Sequence, residues 1–135
     1  MTIAPKTQKH TAAEEKRAYT IATDRDHNTC QRCLRNCGPI ARDHRQNRQP
    51  GNTTPANLQL LGLRCHQWKT EHPAEAIEEG WAVPGWADPL VWPARRWFKG
   101  WAGIVGLRWC LYDNQGGVHW ITDEEAARRM NGLVA

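Results

Sequence analysis

Positions 1–10 are predominantly polar, and the apolar positions beyond them come in short blocks separated by polar and Gly/Pro-bearing stretches. The first ten residues are therefore expected to form a disordered tail. Thr11-Ala-Ala-Glu14 reads as a capping box, in which the Thr hydroxyl takes a backbone amide and Glu14 answers the cap. It predicts a helix running to about Thr23. Asp26-His27-Asn28 breaks that helix, and Gly38-Pro39 turns the chain. Ile40-Ala41-Arg42 then predicts a short strand that delivers Asp43 and His44. Arg45 to Pro55 is polar, contains Pro50-Gly51-Asn52 and reads as a loop. Asn57-Leu58-Gln59-Leu60-Leu61 has the apolar pattern of a second short strand, and Leu63 to about Glu71 reads as a helix that carries His66.

Pro73 opens a further short helix in its first turn, where the missing N–H costs nothing, and Gly80 ends it. Residues 84–94, with Pro84, Gly85, Pro89 and Pro93, are expected to be irregular. Trp97 to Tyr112 is aromatic but interrupted by glycines. Asp113-Asn-Gln-Gly-Gly117 is a hairpin signal between Arg108–Tyr112 and Val118–Ile121. Thr122-Asp-Glu-Glu125 is a second capping box and starts a last helix to about Asn131. No internal repeat is visible. The fold class expected is α+β.

Composition sharpens this picture at two points. From Thr2 to Gln67 there is no Trp and no Phe, whereas all eight Trp lie from Trp68 onward. A core around Cys30–Thr70 would bury too little apolar surface to be stable alone, so a metal staple is physically reasonable there. The Trp-rich remainder reads as core for a small accessory unit, with base stacking as the less favoured use of its indoles. No apolar run is long enough to span a bilayer, and positions 1–10 lack the apolar stretch of a signal peptide, so a membrane partner is not expected. A reducing, cytoplasmic setting follows as the expectation, and there a Cys-x-x-Cys pair points to metal or redox chemistry before a disulfide.

Net charge is +4, and its distribution matters more than its size. Arg25 to Lys69 holds eight basic residues (Arg25, Arg32, Arg35, Arg42, Arg45, Arg48, Arg64, Lys69) against Asp26 and Asp43, while Thr70 to Ala135 holds six against nine acids. A polyanion is the expected ligand of the basic segment. Arg42, Arg45, Arg48, Arg64 and Lys69 are the candidate contacts to such a polyanion, nucleic acid first among them.

The same segment carries the chemistry. Cys30 and Cys33 form a Cys-x-x-Cys pair, followed by Asp43-His44, Asn57 and Cys65-His66. A strand–loop–strand–helix order lets His44 and His66 converge across a groove with Asp43 beside His44. Phosphodiester hydrolysis needs an activated water, a cation on the phosphate and neutralisation of the leaving oxygen. His44, whose type titrates near neutrality, is the natural general base. Asp43 and His66 would hold one divalent cation, and such mixed O/N ligands suit magnesium, manganese or a later transition metal. Asn57 can hydrogen-bond across the loop. Cys110, in an aromatic stretch, reads as a buried thiol.

These stretches (Asp26-His-Asn-Thr-Cys-Gln-Arg-Cys33, Asp43-His44, Asn57-Leu-Gln-Leu-Leu61 and Cys65-His-Gln-Trp-Lys-Thr70) resemble an HNH endonuclease of the ββα-metal type over Asp24 to Pro73. Gly80-Trp81-Ala82-Val83 and Asp88-Pro89 resemble the extension of small HNH proteins of tailed phages and prophages. The resemblance implies a ββα-metal core with a zinc knuckle over residues 11–73, N-terminal helix included. An accessory extension over 74–135 would add a short helix, a β-hairpin and a C-terminal helix. It also implies His44 as base, Asn57 as the residue that steadies the loop (and in some members ligates metal), and Asp43 with His66 as metal ligands. The expected activity is DNA cleavage leaving a 5′-phosphate and a 3′-hydroxyl, in phage or prophage DNA processing within the host cytoplasm. One departure stands out: the family's second knuckle is Cys-x-x-Cys, and its first Cys falls on Gly62. Cys37 is the nearest replacement, giving Cys30, Cys33, Cys37 and Cys65 as the structural zinc set, with His27 the weaker substitute. The rival expectations are a zinc-stapled DNA-binding module without catalysis and a partner protein in phage packaging or replication. The sequence does not determine the oligomeric state.

Overall fold

A computed structural model describes residues 9–132, so the expected tail lies outside the described residues except for its last two positions. The Thr11 box forms as read: Thr11 Oγ1 accepts from the Glu14 amide at 3.1 Å, and Glu14 Oε1 accepts from the Thr11 amide at 3.0 Å. Helix α1 (Ala12–Arg25) follows. It stops because His27 and Asn28 take left-handed backbone with φ of 53° and 50°, a conformation that these two residue types enter more readily than most.

Strands β1 (Ile40–His44) and β2 (Leu58–Gly62) form a two-stranded antiparallel sheet, with Ile40 opposite Gly62 and His44 opposite Leu58. The polar loop between them closes through a single 3-10 turn, Pro55–Asn57. Helix α2 (Leu63–Glu71) starts directly off the end of β2, and α3 (Pro73–Glu78) follows with its Pro in the first turn. Gly80 has φ +89°, and a Cβ there would collide with Arg95 and the Trp109 ring, so the turn after α3 needs glycine on both counts.

A second sheet runs β3 (Ala94–Gly100), β4 (Gly103–Tyr112) and β5 (Val118–Ile121) in antiparallel order, and α4 (Asp123–Met130) ends the described chain. The fold is α+β with two small sheets. The hairpin over Asp113–Gly117 is where the turn residues put it. Strand β3 is the element the sequence pattern hides, since the stretch expected to be irregular runs to 94. Its positions lack clean in/out alternation, glycines interrupt its partner, and a bulge between Phe98 and Lys99 shifts the register. The second box forms only by half. Thr122 Oγ1 accepts from the Glu125 amide at 3.1 Å, but the Glu125 carboxylate turns to Arg129 at 2.8 Å.

The apolar interior is divided into small clusters. Ala18 and Ala22 of α1 pack on Leu58, Cys30 and Cys65 on Leu61, Ala76 on Trp81 and Ala82, and Ala56 on Ala94, Cys110 and Tyr112. Between them lies a buried charged hub. The fully buried Asp26 carboxylate accepts from Arg25 Nε at 2.8 Å, Arg96 Nη1 at 2.6 Å and the Leu60 amide at 3.1 Å. Arg25 also donates to the carbonyls of Pro55 and Leu58 and stacks 3.8 Å from the Tyr112 ring centroid. One carboxylate thus ties α1, β2 and β3 together, and the Arg25 stack adds Tyr112 of β4. Among the described residues no helix is long and apolar enough to cross a membrane.

Burial alone would push the Asp26 carboxyl up, but hydrogen bonding and charge from Arg25, then Arg96, outweigh it and hold it below the ordinary carboxylate range. A depressed folded value means that its contribution is present above the unfolded carboxylate range and is lost as pH falls through the folded value. Asp26→Ala should strand two buried guanidinium groups and cost about 3–5 kcal/mol. Urea unfolding at neutral pH checks this, and a variant within about 1 kcal/mol of the parent would remove the hub from its structural role.

Candidate functional site

Two groups of chemistry-bearing side chains meet the β1–β2–α2 unit. The first is thiol-based. Cys30 and Cys33 turn through a left-handed Leu34, Cys37 precedes β1, and Cys65 lies on the first turn of α2. The four sulfurs all lie within 4.8 Å of one another, and Cys37 Sγ is 3.8 Å from Cys65 Sγ. That separation equals the edge of a tetrahedron of sulfurs about 2.3 Å from a zinc ion, which is about 3.8 Å. The cluster could therefore hold a zinc ion. Gly62 explains the odd ligand set: a Cβ there would run into the Cys37 sulfur, so Cys37 fills the space a side chain at 62 would take. Burial pushes the Cys65 thiol up to about 12. Burial acts in the same direction on Cys37, but hydrogen bonds from the Cys65 amide and neighbouring thiols reverse it and bring Cys37 down to about 7. His27 is exposed and takes no part.

The second group lines a cleft of about 600 Å³ between the loop after β1, helix α2 and the 82–85 segment. Asp43 is buried, and its Oδ1 lies 2.8 Å from His66 Nδ1. Its Oδ2 pairs with Lys69 Nζ at 2.9 Å and accepts from Gln59 Nε2 at 3.0 Å. Lys69 also donates to the His44 carbonyl at 2.7 Å. The half-buried His44 ring faces the same cleft, with Nε2 2.9 Å from Thr53 Oγ1. Burial lowers the His44 pKa below its ordinary 6.5, and Arg48 and Lys69 add to this against the opposing pull of Asp43 and Glu15. Its imidazole is accordingly neutral, with a free lone pair, at physiological pH.

Asn57 is fully buried and both ends of its amide are engaged. Its Oδ1 accepts from the Gln46 amide at 2.8 Å, and its Nδ2 donates to the carbonyls of Gln46 and Asn52 at 3.1 and 2.9 Å. It spans the loop at Gln46 rather than at His44 itself, and Oδ1, which accepts one bond, is fully buried.

The basic residues divide. Arg42 and Arg48 are exposed at the cleft, Arg48 paired with Glu15 at 3.2 Å. Arg64 is exposed on α2 but does not line the cleft. Lys69 lines it with its charge held by Asp43. Arg45 corrects the sequence reading: it is 1 % exposed, and its guanidinium donates inward to the carbonyls of Ala56, Pro89, Trp92 and Pro93. It cannot reach a phosphate. Arg25 is likewise buried in the hub, so basic composition overstates the free positive surface. Sequence reasoning passed over Gln59 and Thr53, which orient Asp43 and His44, and Arg32. The Arg32 guanidinium stacks 3.7 Å from the Trp68 ring centroid and points Nη1 at Cys65 Sγ, 3.5 Å away. All five residues of β2 are buried, which makes Gln59 an interior polar group with an assigned partner.

Two outcomes are expected. Cys37→Ser should lower zinc retention at least tenfold in competition with a chromogenic chelator, and unchanged retention would exclude Cys37 from the cluster's ligand set. In metal-free protein, the His44 imidazole should titrate below 6.5 by NMR. A midpoint above that value would show that Asp43 and Glu15 outweigh burial.

No family model, no curated protein and no solved structure matches this chain, so the functional reading stands on its residues and their geometry.

Proposed function

We propose that the protein is a metal-dependent endonuclease of the HNH type that hydrolyses phosphodiester bonds in DNA. The observation that carries the reading is the placement of His44, Asp43 and His66 around one cleft, on a strand–loop–strand–helix unit stapled by four thiols. Asp43 Oδ1 and His66 Nδ1 stand 2.8 Å apart, close to the roughly 3 Å edge of an octahedron whose ligands lie about 2.1 Å from the ion. One carboxylate oxygen and one imidazole fit a divalent cation that keeps its other positions for water and phosphate. When bound there, such an ion would supply charge neutralisation on the scissile phosphate and the leaving oxygen.

The chain's own residues supply the rest. Lys69 and Gln59 hold Oδ2, so Asp43 offers Oδ1 alone toward the cleft. His44, neutral at physiological pH, takes the proton of the attacking water. Arg42 and Arg48 offer positive charge to the DNA backbone at the cleft. The four thiols hold a structural zinc, which supports the knuckle that the small apolar clusters alone would leave weak. Phage or prophage DNA processing is the setting this reading suggests.

A second reading is a zinc-stapled DNA-binding module without catalysis. The observation in its favour is the Lys69 ammonium, which already compensates the buried Asp43 charge. One assay separates the two. Incubation with supercoiled plasmid across magnesium, manganese, cobalt, nickel and zinc, with a chelator control, should give relaxed or linear DNA. His44→Ala should lower that rate by at least about 100-fold while DNA retention stays within a few-fold. Retention without cleavage by the parent under every metal would favour the binding module.

A further inference from the structure

The two nitrogens of the His44 ring differ in their surroundings. Nε2 lies 2.9 Å from the Thr53 hydroxyl, a side chain that is 1 % exposed, while no protein group is within hydrogen-bond reach of Nδ1 among the described residues. Thr53 sits at the end of the loop that leaves β1, and Asn57 holds that loop: one amide nitrogen grips the carbonyls of Gln46 and Asn52, and the Asn57 backbone N–H donates to the Thr54 carbonyl at 3.0 Å. Thr53 is thereby bracketed on both sides, at Asn52 and Thr54, by bonds to one buried residue.

We infer that Thr53 is the positioning residue of the base. Its hydroxyl oxygen accepts the Nε2 proton of His44, fixes the Nε2–H tautomer and turns Nδ1 into the nitrogen that takes the proton from water. This rests on the endonuclease reading for its catalytic consequence, but the tautomer itself is a property of the folded chain. The reason is geometric and chemical. An imidazole can act as a base only through the nitrogen without hydrogen, and the bond made by the other nitrogen decides which one that is. A neutral histidine in water already favours hydrogen on Nε2. After the proton is taken, both nitrogens carry hydrogen and Nε2 then requires an acceptor, a role a threonine oxygen fills both before and after the transfer. The same bond restrains rotation of the ring, beside which the Tyr19 ring stands at 86°, 6.4 Å away centroid to centroid. The balance is simple: one proton passes from water to Nδ1, Nε2 keeps its own, the hydroxide oxygen bonds to phosphorus, and the bond from phosphorus to the 3′ oxygen breaks, that oxygen taking a proton from solvent to leave as the 3′-hydroxyl. Asn57 then acts on the reaction at one remove, through the loop and Thr53.

Thr53→Val keeps the branched shape of the buried side chain and removes only the hydroxyl, and Thr53→Ser restores it. The test is a long-range proton–nitrogen correlation spectrum of the His44 ring in metal-free protein, alongside plasmid cleavage kinetics. The parent and Thr53→Ser should show hydrogen on Nε2 and a bare Nδ1, whereas Thr53→Val should show a mixture of tautomers. In kinetics, Thr53→Val should lose about 10–100-fold in kcat with KM for DNA nearly unchanged, and Thr53→Ser should recover to within a few-fold of the parent. Hydrogen on Nδ1 in the parent, or an unchanged tautomer in Thr53→Val, overturns the inference whatever the activity. A parent that cleaves and a Thr53→Val variant that cleaves as fast overturns it and leaves the endonuclease reading standing. A parent that cleaves nothing sinks the endonuclease reading, and the spectrum alone then decides the tautomer.

Discussion

The carboxylate of Asp26, fully buried and gripped by Arg25 and Arg96, is the interaction on which the arrangement of the whole chain depends. A charge in that position is stable only if it is paired and hydrogen-bonded at once. Satisfying it draws in the end of α1, the Leu60 amide of β2 and a guanidinium from β3, three elements far apart in sequence. The Tyr112 ring under Arg25 closes the hub from β4. The apolar clusters around it are small, so the hub, rather than one large core, sets how the two sheets lie against each other.

A second buried cation extends the same logic. Arg45 has no carboxylate partner and is held instead by four backbone carbonyls, three of them in the irregular 89–93 stretch. Burial drives its pKa down to about 10, so it stays charged at neutral pH. Pro89, Pro93 and the turns between them leave carbonyls without strand or helix partners, and the guanidinium fork collects them. Arg45 directly follows His44, so the packing of the C-terminal half sets where β1 ends and the His44 ring begins. The extension is in this sense part of the wall of the cleft, with Val83 N–H on the Arg45 carbonyl and Gln46 on the carbonyls of Pro84 and Ala87.

The cleft itself combines rigid and open parts. Asp43 is fixed by Gln59 and Lys69, and His44 by Thr53, whereas the His66 side chain is 44 % exposed and open to the cleft. Holding side chains by buried neighbours while leaving one face to solvent suits the proposed metal-assisted hydrolysis, in which a substrate would displace water without disturbing the groups around it. The thiol cluster and this site share an element: Cys65 and His66 are adjacent on α2, and one short helix orients both.

Much of this was legible in the residues alone. Capping chemistry located α1 and α4, Pro and Gly bounded α3, and turn residues located the β4–β5 hairpin, because each is a local rule with a local cause. The Cys, Asp-His, Asn and Cys-His spacing put the candidate ligands on the strand–loop–strand–helix unit that carries them, since short connections leave little freedom over where they lie. The sequence could not say which arginines are free. Arg45 and Arg48 look alike three residues apart, yet one points to the interior and the other to solvent. That choice depends on carbonyls some forty residues away, which only the tertiary fold delivers. Strand β3 was hidden for the same reason: its pairing with β4 supplies the order that its own pattern lacks. Cys37 lies between the two cases. Its candidacy could be read from the missing Cys at 62, but only the folded chain places its sulfur in the space that Gly62 leaves open.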